Sequence, residues 1–172
     1  LWYWRSNNQR FKYKKHDPNI KITKKSYWFR WLWYKDNKTG NNLMKKNFLI
    51  VVADYYKEIS KGLLDNALKL IPKLSSIKII KVPGVFEIPV TISKNIKKYD
   101  AFLALGCVIK GQTPHFDFIS SATTNAIMEI SIKTKKPVGN GIITCLNMRQ
   151  ARARKIKGKE AVRAVNSILS QK

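Results

Sequence analysis

Four short apolar runs, separated by stretches with helical periodicity, constrain the fold of this chain more than any other feature. The runs are nearly continuous and rich in β-branched residues, which is the pattern of strands buried on both faces of a parallel sheet. They cover residues 47–53, 76–82, 101–109 and 137–144. Strands that alternate with helices predict an α/β domain, in which right-handed crossovers cover both faces of a four-stranded parallel sheet.

Each segment after a run carries apolar residues at helical spacing. The first helix is predicted to end near Pro72, and its core-facing residues are Ile59, Leu63, Leu64, Ala67, Leu68 and Ile71. A second helix covers residues 87–98, with Pro89 in its first turn. A third follows Pro114, and its sheet-facing residues are Ile119, Ala122, Ala126, Ile127 and Ile130. The stripe of the last helix consists of Ala161, Val162, Ala164, Val165, Ile168 and Leu169.

The chain divides into two regions of different composition. All the tryptophans lie before residue 44, at Trp2, Trp4, Trp28, Trp31 and Trp33. Residues 1–43 form a basic, aromatic extension without a sustained period of two or 3.6, so we predict no stable fold for it. Three interpretations remain open: a grip on single-stranded nucleic acid through charge and stacking, a disordered tail, or sequence read upstream of the true start. Met44, followed by two lysines and a strand, favours the last two and places the domain at residues 44–172.

The net charge of +24 would by itself favour a nucleic-acid partner, because lysine and arginine drive phosphate binding. Residues 44–172 contribute +15 of this charge, spread over the domain without a concentrated patch. A nucleic-acid-binding protein is therefore kept as a rival interpretation, and it predicts salt-sensitive binding that is lost when residues 1–43 are deleted.

The sequence predicts a cytoplasmic protein that does not enter membranes. No apolar run approaches the roughly eighteen residues that a membrane span requires, and the extension lacks the apolar stretch of a secretory signal. Cys107 and Cys145 lie inside apolar runs without CxxC or Cys/His spacing. We expect both to be buried, reduced thiols and expect no metal site.

Ligands of parallel α/β sheets bind beyond the carboxyl ends of the strands. After the first strand, Tyr55 and Tyr56 could stack on a flat ring or could be ordinary surface aromatics. After the second, Glu87 could accept hydrogen bonds from a polyol or could complement the dipole of the helix that it begins. The residues alone do not decide between these alternatives.

The third run leads into the most informative stretch of the chain, LGCVIKGQTPHFDF. Gly111 is expected to allow a sharp turn, and the amides around Gln112 and Thr113 precede a helix N-terminus, where free N–H groups and the dipole favour an anion. His115 follows in the first turn, and an imidazole can move protons near neutral pH. A single histidine is more often structural, but its place beside an anion site favours a catalytic role.

A basic segment follows the fourth run and contains Arg149, Arg152, Arg154, Lys155, Lys157 and Lys159. Such a segment is commonly a solvated helix face. Opposite a phosphate, one of its arginines could bind the anion bidentately.

The segments VPGVFEIP, LGCVIKGQTPHFDF, GNGIIT and QARAR with KGKEA resemble the lumazine synthase family in their order and intervals. The resemblance covers residues 47–170 and none of the extension. It implies a flavodoxin-like three-layer α/β/α subunit that forms homopentamers or multiples of them, with riboflavin synthase as a possible partner. It also implies riboflavin biosynthesis: condensation of 5-amino-6-(D-ribitylamino)uracil with 3,4-dihydroxy-2-butanone 4-phosphate to 6,7-dimethyl-8-ribityllumazine, with release of phosphate and water and without cofactor or metal.

The resemblance assigns roles to individual residues. The pyrimidine would stack on Tyr55, and its ring and ribityl chain would be held by Val85, Phe86 and Glu87. The ring would also be lined by the backbone of Cys107, Val108 and Ile109. Gln112 and Thr113 would cradle the phosphate with Arg154, and His115 would be the proton donor and acceptor. The residues that would reach in from the neighbouring subunit are Asn140, Arg154 and Lys157.

This chain departs from the family pattern at three places. Asn140 stands where many members carry an aromatic residue, in a GNG pattern typical of one subgroup. Lys110 replaces a frequent arginine and loses its bidentate fork. The interval between Arg154 and Lys157 is several residues shorter than usual, which leaves the placement of both cations open.

A second rival interpretation keeps the fold but makes the protein a flavin- or lumazine-binding relative, such as the archaeal riboflavin synthases. His115 and the GQT turn favour the synthase.

Overall fold

Four parallel strands form one sheet in the order β2-β1-β3-β4. The computed structural model describes residues 45–171, so the predictions for the extension lie outside the described residues. The strands are β1 (Asn47–Ala53), β2 (Ser76–Val82), β3 (Ala101–Ile109) and β4 (Val138–Cys145). The helices are α1 (Lys57–Leu68), α2 (Ile88–Asn95), α3 (His115–Thr134), α4 (Met148–Ala153) and α5 (Lys157–Leu169), and a 3-10 turn covers Val85–Glu87.

Helices cover both faces of the sheet and form the predicted three layers. Alternate residues of β1 point to opposite faces because the side-chain period of a strand is two. Phe48 packs in one cluster with Leu63 of α1 and Val162 of α5. Leu49 packs in the other with Ile92 of α2 and Ile127 of α3. The strand order is that of a flavodoxin-like doubly wound sheet, which confirms the predicted fold class.

The strand predictions were confirmed almost residue for residue. The ranges 47–53, 76–82 and 101–109 are those of β1, β2 and β3. The fourth strand begins one residue later than predicted, because Pro137 has no N–H to join the ladder. It also ends one residue later, since Cys145 pairs with Ile109.

The helix predictions were less accurate at the ends and on the buried faces. α2 covers Ile88–Asn95, which is shorter than the predicted range of 87–98. In α3, Ala122 is exposed, and Thr123 is buried in its place. In α5, Ala164 and Ile168 are exposed, although they were expected to face the core. Both α3 and α5 thus bury a narrower stripe than their apolar residues indicate.

The two edges of the sheet differ in what they expose. On β2, Ile77 and Ile79 are 41% and 38% exposed. On β4, the outward residues Asn140 and Thr144 are exposed, whereas Gly139 and Gly141 are buried. No helix among residues 45–171 is long and apolar enough to cross a bilayer.

Helices α1 and α5 pack closely because Gly158 has no side chain. A Cβ added at Gly158 would lie 2.0 Å from the carbonyl oxygen of Leu63 and 3.1 Å from the amide nitrogen of Ala67. Both contacts are with backbone, which cannot rotate away. The absence of a side chain at residue 158 therefore sets the distance between the two helices.

We expect Gly158→Ala to lower the free energy of unfolding by about 1–3 kcal/mol, the usual cost of overpacking a core. The clash should outweigh the roughly 1 kcal/mol by which alanine favours a helix interior over glycine. Urea unfolding at one protein concentration measures the change. The matched control is Gly111→Ala, because a Cβ at Gly111 meets nothing within 4 Å. Equal stability of the two variants would contradict this account of the α1–α5 contact.

Candidate active site

The sheet reverses its strand order between β1 and β3, and ligands of this fold bind at the carboxyl ends of the two strands that flank such a point. β1 ends at Ala53 and β3 at Ile109. Backbone pairing continues just beyond the strand ends. The amide of Lys110 donates to the Cys145 carbonyl at 2.9 Å, and the amide of Asp54 donates to the Val82 carbonyl at 2.8 Å. The segments that leave β1, β2 and β3 are therefore held in fixed positions at the carboxyl end of the sheet.

Two tyrosines follow β1. Tyr55 is 74% exposed, and its ring meets that of Tyr56 edge to face with 4.9 Å between centroids. Tyr56 is half-buried, and burial, with the nearby Tyr55 and Cys107, raises the pKa of its hydroxyl. Tyr56 packs against the core cluster that contains Cys107 of β3. Tyr56 thus anchors the loop, and Tyr55 offers an open aromatic face.

The 3-10 turn after β2 lies directly on β3. Val85 is buried, and a Cβ added at Gly106 would lie 2.7 Å from Val85 Cγ1. Phe86 is 61% exposed. Glu87 accepts a hydrogen bond from the Gly84 amide at 3.0 Å through Oε2, and makes no capping hydrogen bond to α2. One oxygen of Glu87 therefore stabilises the turn, and Oε1 accepts no hydrogen bond from any residue between 45 and 171.

The last residues of β3 pass from the core to the surface. Cys107 is buried, and Val108 and Ile109 are half-buried. Burial, with Cys145 beside it, raises the pKa of the Cys107 thiol to about 12. Both cysteines are buried and unlinked, as predicted. Burial therefore keeps Cys107 in its neutral thiol form at neutral pH.

The turn between β3 and α3 is exposed from Gly111 to His115. His115 is the first residue of α3, with Pro114 at the N-cap. Among residues 45–171, the amides of Gln112 and Thr113 donate no backbone hydrogen bond, so they can meet an anion. The chain bends at residues 112 and 113, directly after Gly111, and no glycine among residues 45–171 has a positive φ. The imidazole thus lies at the surface beside the turn, far from the hydrophobic interior.

The remaining three predicted residues lie apart from this group, on β4 and after it. Asn140 is opposite Ala104 in the register, five residues before the end of β4 and roughly 16 Å from it along the strand. Its Oδ1 accepts from the Ile142 amide at 3.0 Å. Lys157 pairs with Glu160 at 2.8 Å. Asn140 therefore lies far from the carboxyl ends of the strands within its own chain.

Arg154 lies near the end of β4, in the short connection between α4 and α5. Burial raises the pKa of the Cys145 thiol, and the positive charge of Arg154 offsets part of that rise. Nη1 of Arg154 donates only a long hydrogen bond, 3.4 Å, to the Gln150 carbonyl. An open cavity of about 340 Å³ lies beside Arg154 and Lys157. The guanidinium is therefore exposed and available to an anion.

Sequence reasoning missed several residues of this second region. The basic segment was interpreted as a helix face without bounds, and its first part is α4. Asn147 is the N-cap of α4, and its side chain accepts from the Gln150 amide at 3.0 Å. The cavity is also lined by Ile142, Thr144, Ile156 and Glu160. Side chains alternate between the two faces of β4, so burial of Gly139 and Gly141 would have placed Ile142 and Thr144 on the outward face. Within the part of the chain that the structure describes, no cluster of three His, Cys, Asp or Glu side chains could hold a metal ion.

Comparison with known proteins decides the family. The sequence profile of 6,7-dimethyl-8-ribityllumazine synthase matches residues 45–172. The chain belongs to this family. A 6,7-dimethyl-8-ribityllumazine synthase of Renibacterium salmoninarum is 41% identical over 105 residues, which are 60% of this chain and 66% of the relative. Those of Arthrobacter sp. and Cutibacterium acnes are 40% and 38% identical over 124 and 130 residues, which cover 77% and 78% of the relatives. The resemblance stated from the motifs is confirmed.

We expect Cys107 to resist alkylation in the folded protein. A pKa of about 12, against an ordinary value of 9.0, lowers the thiolate fraction at pH 8 by roughly a thousandfold. Iodoacetamide labelling of Cys145→Ala, followed by mass spectrometry, isolates Cys107. The same variant unfolded in urea is the control and should react quickly. Comparable rates in the folded and unfolded protein would show that the thiol is accessible and ionisable.

Proposed function

We propose that this protein condenses 5-amino-6-(D-ribitylamino)uracil with 3,4-dihydroxy-2-butanone 4-phosphate to 6,7-dimethyl-8-ribityllumazine, with release of phosphate and water, in riboflavin biosynthesis. The observation that carries the proposal is the exposed His115, next to unpaired backbone amides at a helix N-terminus on the carboxyl edge of the sheet. A proton-transfer group and an anion site are what this condensation needs.

The pyrimidine is assigned to the segments that leave β1 and β2. Tyr55 stacks on the ring, a role that its exposed face supports. Val85 and Phe86 contact the ring. The free oxygen of Glu87 accepts hydrogen bonds from the ribityl chain, while its other oxygen keeps the turn in place. Backbone groups at the end of β3 line the ring, namely those of Cys107, Val108 and Ile109.

The butanone phosphate is assigned to the turn after β3. The amides of Gln112 and Thr113 bind the phosphate, and Arg154 adds a bidentate charged contact. His115 then donates and accepts protons as the amine adds to the ketone, the imine forms, phosphate leaves and the ring closes. Two reactants held in register and one imidazole suffice for these steps, so we assign no cofactor or metal.

The second region of the site is assigned to a neighbouring subunit. Asn140, Arg154 and Lys157 lie on or beside the open edge of β4, and Asn140 is far along the strand from the carboxyl ends. A site between copies accounts for this separation, and we propose a homopentamer or a multiple of it. Because Lys157 is paired with Glu160, we assign the phosphate contact to Arg154 first.

The setting of the enzyme follows from the same assignment. Two buried, unlinked thiols fit the reducing cytoplasm, where we place the protein. Riboflavin synthase, which would consume the product, is its proposed partner.

Turnover by the full chain tests the proposed function. We expect lumazine absorbance and inorganic phosphate to rise together when both substrates are present.

Arg154→Ala should raise the KM for the butanone phosphate roughly tenfold or more, because a charge-assisted contact is lost. His115→Ala should lower kcat by about a hundredfold and leave a residual rate, since proximity survives. Tight lumazine binding without turnover would instead favour a flavin-binding relative.

Mixed assemblies test whether the site is shared between subunits. His115→Ala and Arg154→Ala chains, unfolded and refolded together, should regain activity, because about a quarter of the sites would then combine an intact histidine with a neighbour's intact arginine. The control is a mixture of the two separately folded variants. If both residues serve the same subunit, every site keeps one defect, and refolding together restores nothing.

A further inference from the structure

Four cations lie between residues 152 and 157, and three of them are paired with carboxylates. Arg152 Nε donates to Glu58 Oε2 at 3.1 Å. Lys155 Nζ donates to Glu58 Oε1 at 2.7 Å. Lys157 pairs with Glu160. Among residues 45–171, Arg154 alone of these four has no carboxylate partner.

The side chain of Lys155 lies along α1, where Gly62 leaves room for it. Glu58 and Gly62 are four residues apart and so lie on one face of α1. A Cβ added at Gly62 would lie 2.4 Å from Lys155 Cδ and 2.9 Å from its Cγ. The aliphatic stem of Lys155 therefore crosses α1 at Gly62, and its ammonium reaches Glu58. Its side chain is only 28% exposed.

Glu58 connects two segments of one chain that are distant in sequence, the start of α1 and the connection that carries Arg154. It stands three residues after Tyr55, in the first turn of α1. Its partners stand on either side of Arg154. The hydrogen bonds from Lys155 and Arg152 hold the pKa of the Glu58 carboxyl below its ordinary value, so the carboxylate is charged at neutral pH.

The connection that carries Arg154 is only residues 154–156, between the end of α4 at Ala153 and the start of α5 at Lys157. The Arg154 amide donates to the Ala151 carbonyl at 3.1 Å, and the Lys157 amide donates to the Arg154 carbonyl at 2.9 Å. Both helices thus continue almost directly into the connection. A clamp on residues 152 and 155 consequently constrains residue 154 as well.

We propose that Glu58 is a positioning residue for phosphate capture: it holds Arg152 and Lys155 against α1, so that Arg154 is the one cation between residues 152 and 157 that is left free for the butanone phosphate. The inference rests on the proposed function. Glu58 touches no substrate and acts only through Arg154.

Loss of the Glu58 charge could change phosphate binding in two opposite directions. Removing the Glu58 charge leaves two cations unpaired, and added positive charge by itself would strengthen phosphate binding. Positioning predicts the reverse, a weaker capture of phosphate. The sign of the change in KM therefore separates the two roles.

The test compares wild type, Glu58→Gln and Glu129→Gln as full chains. Glu129 pairs with Lys133 on α3, so this control removes one surface carboxylate of an ion pair elsewhere. For Glu58→Gln we expect the KM for the butanone phosphate and the inhibition constant of inorganic phosphate to rise about three- to fivefold, the size expected for one exposed ion-pair network. The kcat and the KM for the pyrimidine should stay within about twofold, as should every parameter of Glu129→Gln.

Lys155→Met provides a second variant, because methionine keeps most of the stem over Gly62 and loses the ion pair. It should reproduce the change in phosphate affinity. In an Arg154→Ala background, Glu58→Gln should have no further effect, since the positioned group is absent. An unchanged or lowered KM in Glu58→Gln, or an effect that persists without Arg154, would overturn the inference. Absence of turnover by wild type would instead overturn the proposed function.

Discussion

The candidate site depends on the position of β3 in the middle of the sheet. β3 is hydrogen-bonded to β1 on one side and to β4 on the other, and its first seven residues are buried. Burial on both faces prevents a register shift, which would turn every side chain to the wrong layer. Ile109 is consequently held opposite Cys145. The turn with Gln112 and His115 therefore emerges at the carboxyl end of the sheet, where β1 and β2 also end.

Close contacts through glycine bring the layers around β3 to the required distance. Gly106 lets the 3-10 turn with Val85 lie on β3, and Gly158 lets α5 approach the backbone of α1. The second contact also brings the connection between α4 and α5 against α1, where Lys155 meets Glu58. The packing of the core and the placement of Arg154 are thus linked through one helix pair.

Much of the fold could be predicted because its signals are local. Nearly continuous β-branched runs identify strands buried on both faces, and three of the four ranges needed no adjustment. The buried faces of the helices were predicted less well. Ala122 and Thr123 are neighbours, and only the packing of α3 decides that the threonine faces the sheet. The expected bend after Gly111 forms at residues 112 and 113, without a positive φ at the glycine.

The sequence by itself determined the α/β class, the family motifs and the order in which tyrosine, glutamate, the GQT turn and the histidine follow the strands. Those features depend on neighbouring residues, whose spacing is written in the chain. The tertiary structure alone decided that Asn140 lies far from the carboxyl edge, and that Glu58 meets Lys155 across 97 residues. Such contacts follow from strand register and helix packing, because residues distant in the chain become neighbours only when the sheet has formed.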